Sequence, residues 1–320
     1  MTPEARIAVI GAGSIGSGWA IAFACGGFEV ALQDEDASRL DVARKEIAAR
    51  LADLEAYELL AEAPAAVLGR VKCHADLGEA VAGARHLQEC VPEDLGLKRR
   101  LFAEIDRLAA PDAILASSSS FLPATAFASE LAGRARCLVV HPGNPPYLLR
   151  LAEIVPASFT AAETVDRVTA LLQACGLVPI RLHREIGGFV FNRLQGALLR
   201  EAYCLVRDGV AEVEEIDRIM RDGLGLRWSV IGPFETADLN MRGGIRAHAR
   251  QMGPAYARMG AERGQNDPWT AELVAQVTSA RRALLPLAEW GKRVAWRDRA
   301  LMALLRCRRR ENPHEDTSSR

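Results

Sequence analysis

Neither sign of charge is in excess: 40 basic residues stand against 41 acidic ones in a chain of 320. Nothing in that balance points to nucleic acid as a partner. The seven cysteines are scattered singly, with no C-x-x-C pair and no Cys/His cluster. This argues against a structural zinc, or any other metal centre, and against a disulfide framework. It fits a reducing, cytoplasmic setting. No apolar run is long enough to span a membrane. The N-terminus runs straight into a strand, which leaves no room for a signal peptide. No G-x-S-x-G elbow is present, so Ser117 to Ser120 do not read as a hydrolase nucleophile. There is no internal repeat and no low-complexity segment before the tail. Residues 306–320, basic and then polar, read as a solvated end.

What is present describes a globular protein of two domains, with 49% hydrophobic and 25% charged residues in 320. Arg6-Ile-Ala-Val-Ile10 is a short β-type run. Gly11-Ala-Gly13-Ser14-Ile15-Gly16 follows at once, then a small-residue helix to Cys25. Phe28 to Gln33 resumes a strand with Asp34 at its end. Strand, G-x-G-x-x-G, helix, strand, acid is the order of a dinucleotide-binding unit. The glycines allow a tight turn and close approach of a pyrophosphate to the helix N-terminus. Asp34 would accept from the ribose hydroxyls and repel a 2′-phosphate, so NAD is expected over NADP.

The alternation continues. Residues 36–62 read as an amphipathic helix through Leu40, Ala43, Ile47, Leu51 and Leu54. Short strands are predicted near Val71 and over Ala84 to Glu89. A helix follows with Leu97, Leu101, Ile105 and Leu108 on one face, then a strand from Asp112 to Ala116. Residues 162–175 read as a helix and Val178 to Leu182 as a last strand. This predicts an α/β, Rossmann-type, mostly parallel sheet with helices on both faces, over residues 1–186. Asp34, Glu93, Ser120 and His141 all fall just after predicted strands, so one edge of the sheet collects them.

His141 ends the run Cys137-Leu-Val-Val and is followed by Pro142, Pro145 and Pro146, which stiffen the loop. Imidazole titrates near neutral pH and suits proton transfer. Glu153 lies in the apolar run Leu151 to Val155, where a carboxylate needs a partner, and His141 is the nearest candidate. The plainer alternative is a surface His beside an edge-strand Glu. The serine run reads equally as a polar turn and helix cap.

From Gly187 the character changes to an all-α second domain, residues 187–320. Phe189, Val190, Leu194, Ala197, Leu198, Ala202 and Leu205 make a helix apolar around much of its circumference. It is expected to be buried in the domain core or at a subunit interface. Asn192 is either packing glue or a site donor. Gly223-Leu-Gly-Leu-Arg227-Trp and Gly232-Pro-Phe-Glu-Thr read as loops. Residues 245–260, 270–285 and 295–307 read as helices.

The stretches HPGNPPY, GFVFNRLQ and GLGLRWSVIGPFET, with the glycine motif, resemble the 3-hydroxyacyl-CoA dehydrogenase superfamily in the family's own order. The likeness runs over nearly the whole chain and is greatest to the branch containing lambda-crystallin and L-gulonate 3-dehydrogenase. It implies an NAD-dependent oxidoreductase that oxidises a C3 hydroxyl by hydride transfer. His141 would be the catalytic base, Glu153 its paired carboxylate, and Ser120 and Asn192 the contacts to the reacting oxygen. Ile15, Gly16, Asp34, Glu93 and Lys98 match the family's cofactor contacts, beside Gly11, Gly13 and Ser14. The resemblance also implies a homodimer through C-terminal helices. Arg227 is a candidate anchor for a substrate carboxylate, since guanidinium and carboxylate pair in a fork; a solvated or ion-paired Arg is the other reading. Two departures stand out. Gly143 replaces a bulkier residue, which would widen the pocket, and Arg150 adds a positive charge near the reacting loop. The leading expectation is a free 3-hydroxy acid as substrate. A 3-hydroxyacyl-CoA, carnitine (with Trp228, Tyr147 and Trp269 as a cage) and a non-catalytic NAD(H)-binding crystallin-like role are the alternatives.

Overall fold

Side-chain alternation sets the sheet between two cores. In β1 (Arg6–Ile10), Ile7 and Val9 enter one core and Ala8 and Ile10 the other. The computed structural model describes residues 5–264 and 270–293, with Trp296 and Cys307. Strands β2 (Val30–Gln33), β3 (Val71–His74), β4 (Ala84–Glu89) and β5 (Ile114–Ser117) are followed by β6 (Cys137–Pro142), β7 (Leu151–Pro156) and β8 (Val178–Arg181). They form one eight-stranded sheet in the order β3-β2-β1-β4-β5-β6-β7-β8. All neighbours are parallel except β6 and β7. The order reverses beside β1, between β2 and β4, and a ligand crevice opens at such a switch point.

Helices cover both faces. In α1 (Ser14–Cys25), Trp19 and Phe23 stack at 5.0 Å, and nearly the whole helix is buried. α2 (Ala37–Ala56) begins at Asp36, whose carboxylate accepts the Ser38 N–H at 2.9 Å, and buries Leu40, Ala43, Ile47, Leu51 and Leu54. The sequence predicts this helix as far as 62. It stops earlier because Glu58 turns left-handed (φ +56°) and α3 (Pro64–Gly69) restarts at a proline. α4 (Leu77–Val81), α5 (Leu95–Leu108), α6 (Ala124–Ala128) and α7 (Ala162–Ala174) complete the layers. On α5 the buried row is Lys98, Phe102 and Ile105, while the predicted Leu97, Leu101 and Leu108 are half-buried. Glu89 draws the Lys98 ammonium inward, and the helix is turned accordingly.

Contacts divide the chain into two compact units, Met1–Leu199 and Arg200–Arg320. The division falls within α8 (Phe191–Arg207). None of its residues is buried within the chain, which excludes the expected place in a domain core and leaves the other expectation, a subunit interface. Phe191, Leu194, Leu198, Leu199, Tyr203 and Val206 are exposed. An apolar pattern records that a face needs cover, not what covers it.

In the second unit, α9 (Val213–Arg218), a π-helical stretch at Ile219–Leu224 and α10 (Gly225–Trp228) make one helical run. The sequence reads its glycines as a loop; they lie inside the run instead. A Cβ on Gly225 would come within 2.6 Å of the Met220 carbonyl. Gly232-Pro-Phe-Glu-Thr is also helical, with Pro233 opening α11 (Pro233–Leu239). α12 (Gly244–Glu262) and α13 (Ala271–Leu284) follow. Fully buried Asp238 ties these helices together. It accepts the Ile245 N–H at 2.8 Å, pairs with Arg282, and gives its carbonyl to Trp290 Nε1 at 2.9 Å. Trp269, the expected helix 295–307 and the tail lie outside the described residues, apart from Trp296 and Cys307. No helix among the described residues is long and apolar enough to cross a membrane.

Candidate active site

The antiparallel β6–β7 pair sets His141 directly opposite Glu153. Both are buried, and His141 Nδ1 lies 2.8 Å from Glu153 Oε2. The other carboxylate oxygen accepts the N–H groups of Val190 at 2.8 Å and Phe191 at 3.0 Å. These amides form the N-terminus of α8, where the helix dipole favours negative charge. Burial pushes the Glu153 carboxyl up. The hydrogen bond from His141 and the two amides outweigh burial and hold it below the ordinary glutamate range. Glu153 is therefore ionised at neutral pH and can only accept. That assigns a proton to Nδ1 and leaves the Nε2 lone pair of a neutral imidazole free.

Backbone geometry aims those amides. Gly188 and Phe189 both have positive φ, +75° and +49°. For buried Phe189 the left-handed region costs about 1–2 kcal/mol. The bend turns the chain into α8 with its first amides on Glu153. The Phe189 and Phe191 rings flank the imidazole, with centroids at 5.5 and 6.2 Å.

The proline loop is seated by glycines. A Cβ on Gly18 of α1 would meet Pro146 at 2.7 Å, so the loop rests directly on that helix. Gly143 does not widen a pocket. A Cβ there would strike Leu149 at 2.9 Å, so the small residue lets residues 144–149 fold back on themselves. Arg150 is exposed and lines a groove of about 270 Å³ with Cys25, Gly26, Leu59 and Cys175.

Glu93 organises the serine turn. Its carboxylate accepts from the Ser119 hydroxyl and from the N–H groups of Ser120 (3.2 Å), Phe121 (3.1 Å) and Leu122 (3.0 Å). Burial would raise its pKa, and these hydrogen bonds together lower it. Asn192 Nδ2 donates to the Ser120 carbonyl at 3.0 Å, which ties the start of α8 to this turn. These bonds leave the Ser120 hydroxyl uncommitted. His141, Glu153, Ser120 and Asn192 all belong to the first unit.

Sequence reasoning missed Ser119, Glu89 and the two α8 amides. Ser119 Oγ both binds Glu93 and caps the Leu122 N–H at 2.7 Å. Glu89 is fully buried; it takes the Lys98 ammonium at 2.7 and 2.9 Å, the Ser117 hydroxyl at 2.5 Å and the Val91 N–H at 2.7 Å. Burial pushes its carboxyl up while Lys98, Ser117 and Val91 pull the other way. Lys98, 1% exposed, thus braces the loop after β4 from beneath. The signal available was an acid closing β4 and a lysine in the first turn of the helix that follows.

The glycine turn fits a dinucleotide. A Cβ on Gly16 would sit 1.8 Å from the Gly11 carbonyl, so only glycine permits this strand–helix approach. Gly13 faces open space, and α1 has no side-chain cap, which leaves its first N–H groups to a pyrophosphate. Ser14 and Ile15 occupy that first turn. Asp34 accepts the Ala12 N–H at 3.0 Å and the Asp36 N–H at 3.1 Å, and each oxygen keeps capacity for a ribose hydroxyl.

In the second unit Arg227 lines a cavity of about 530 Å³ whose walls are largely apolar, among them Phe234, Ile245, Val274 and Val277. Arg227 Nε, Trp228 Nε1 and Thr236 Oγ1 are buried without a hydrogen-bond partner among the described residues.

Residues 6–186 match the NAD binding domain of 3-hydroxyacyl-CoA dehydrogenase, and residues 188–283 match its C-terminal domain. A lambda-crystallin homolog from Bos taurus is 43% identical over 308 residues, 93% of this chain and 94% of that protein. An L-carnitine dehydrogenase from Pseudomonas putida is 41% identical over 256 residues, 80% of this chain and 79% of that protein. A solved 5-formyl-3-hydroxy-2-methylpyridine 4-carboxylic acid 5-dehydrogenase, an NAD+-dependent dismutase, superposes with a TM-score of 0.73 at 28% identity, covering 89% of this chain and 98% of that one. With the fold, the glycine turn and these likenesses in agreement, the chain belongs to the 3-hydroxyacyl-CoA dehydrogenase family and is an NAD-dependent oxidoreductase of that family.

Proposed function

We propose that the protein oxidises the C3 hydroxyl of a free 3-hydroxy acid with His141 as general base. The observation that carries this reading is the His141–Glu153 pair, with Nδ1 held at 2.8 Å and Nε2 left free. His141 Nε2 takes the hydroxyl proton, and Glu153 keeps the ring oriented and stabilises the imidazolium that forms. The Ser120 hydroxyl and the remaining Asn192 amide capacity hydrogen-bond the substrate oxygen as it becomes a carbonyl. NAD, when bound, accepts the hydride released from C3. Gly11, Gly13, Ser14, Ile15 and Gly16 would hold its pyrophosphate and Asp34 its ribose, while Glu93 and Lys98 would shape the adjoining loops. In reverse, His141 is the acid.

Arg227 is proposed as the partner of the substrate carboxylate. Two of the similar proteins are named for carboxylate-bearing substrates, carnitine and a pyridine carboxylic acid. The family's own description supports a second reading, a 3-hydroxyacyl-CoA substrate. Parallel assays of NADH formation with L-3-hydroxybutyrate, L-gulonate, L-carnitine and 3-hydroxybutyryl-CoA separate the two, with His141→Ala as control. Turnover of a free acid that vanishes in the variant is expected; turnover of the thioester alone would replace the first reading with the second.

The exposed apolar face of α8 supports a homodimer as the working form, and the unpaired cysteines suit a cytoplasmic setting. Light scattering should give twice the chain mass, and Leu194→Glu with Leu198→Glu should return it to that of one chain.

A further inference from the structure

The cavity of the second unit has a chemistry of its own. Its unpartnered polar atoms are weighted toward donors: Arg227 Nε and Trp228 Nε1 only donate, and Thr236 Oγ1 does either. Thr236 is 5% exposed. Among the described residues no Asp or Glu lines the space. A guanidinium N–H buried without an acceptor is costly, and a ligand acceptor carrying negative charge would offset that cost best. Asn240, His248 and Tyr256 add polar groups to the wall, which is otherwise apolar, with Leu224, Phe234, Ile245, Val274 and Val277. A volume of about 530 Å³ is in the range that encloses a small molecule.

We infer that this cavity takes a monocarboxylate with an apolar body, its carboxylate on Arg227 and Trp228 and its chain against Phe234, Ile245, Val274 and Val277. Only the carboxylate end rests on the reading of Arg227 given above. A polyhydroxylated acid such as L-gulonate fits poorly, because most of the surface its hydroxyls would meet is carbon, with Asn240, His248 and Tyr256 the exceptions beside Thr236. A quaternary ammonium fits poorly as well: it would share the space with a guanidinium and meet no described carboxylate. Among carboxylates, the cavity favours those whose remaining chain is hydrocarbon.

Titration calorimetry on the NADH-saturated protein tests this without turnover. Hexanoate should bind, and hexanamide should bind more weakly by about tenfold to a hundredfold, the range for a lost charge-assisted hydrogen bond. Arg227→Gln should remove the difference between acid and amide, and Arg227→Lys should keep part of it. Ala249→Phe, which fills the space, should weaken hexanoate at least about tenfold and leave NADH affinity as it was. Equal affinities for acid and amide, no detectable hexanoate binding, hexanoate binding unmoved by Ala249→Phe, or tighter binding of L-gulonate or L-carnitine would each overturn the inference. Failure of the dehydrogenase reading looks different: hexanoate would bind as described while no free 3-hydroxy acid is oxidised.

Discussion

The sheet edge and the helical cavity treat their polar atoms in opposite ways. At the edge, Glu153, Glu93 and Glu89 each accept several hydrogen bonds from within the unit. In the cavity, Arg227, Trp228 and Thr236 each leave a buried polar atom without a partner among the described residues. A fully bonded edge is organised before anything binds, which aims a base in advance and spares reorganisation during proton transfer. A cavity with spare donors is incomplete until an acceptor enters, which ties its order to occupancy. In the proposed reading the edge serves the reaction and the cavity serves ligand selection.

His141→Ala should break the edge half of this contrast most visibly. We expect kcat to fall by about 10²–10⁴-fold with NADH affinity unchanged in a fluorescence titration. Joint loss of both would mean that the imidazole holds the edge together rather than reacting there. Glu153→Gln keeps the shape and removes the charge, and should lower kcat by about 10²-fold or more. It also carries a pH signature. Because the folded carboxyl titrates below its ordinary range, its contribution is present above about pH 4.3 and is lost as pH falls through the depressed value. The melting temperatures of wild type and Glu153→Gln should therefore converge in acid and separate toward neutrality.

His86 is an exception within the sheet unit, together with Ser17, whose Oγ is also buried without a partner among the described residues. The histidine is fully buried, its Nδ1 has no partner among the described residues, and burial pulls its pKa down to about 4. Folding requires it neutral, so its contribution is full above about pH 6.5 and is lost as pH falls toward the folded value. Urea unfolding at pH 7 and pH 5 should show a loss of about 2 kcal/mol that His86→Gln removes. The smallest effect sharpens the contrast directly. Ser117→Ala, which strips a donor from Glu89, should cost about 1.5 kcal/mol, whereas Thr236→Val should change stability by less than about 0.5 kcal/mol.

Much of this was legible in the sequence where the governing interaction is local. The glycine turn, the strand ends and Asp34 were legible because each follows directly on a strand that the local pattern marks. The pairing of Glu153 with His141 was readable because a carboxylate in an apolar strand must find a partner close by. The rest depended on groups whose placement the residue pattern does not give. Lys98 turned α5 because Glu89, only nine residues earlier, is buried at the end of β4 where periodicity does not reveal it. Gly223 and Gly225 were read as a loop because glycine disfavours helices in general, while here close packing around a π-helical stretch requires one of them. The exposure of α8 could not be read at all, since periodicity records an apolar face and carries no information about its cover.

Asp34 shows what such bonding means for altering the protein. Its carboxylate is expected to meet the cofactor's ribose, and it also receives the Ala12 amide from within the glycine turn. One side chain therefore reads the adenosine end and fastens the phosphate cradle. Removing it to admit a 2′-phosphate would untie that cradle in the same stroke. A lineage or an engineer seeking the other nicotinamide cofactor would first have to supply the Ala12 amide with a new acceptor.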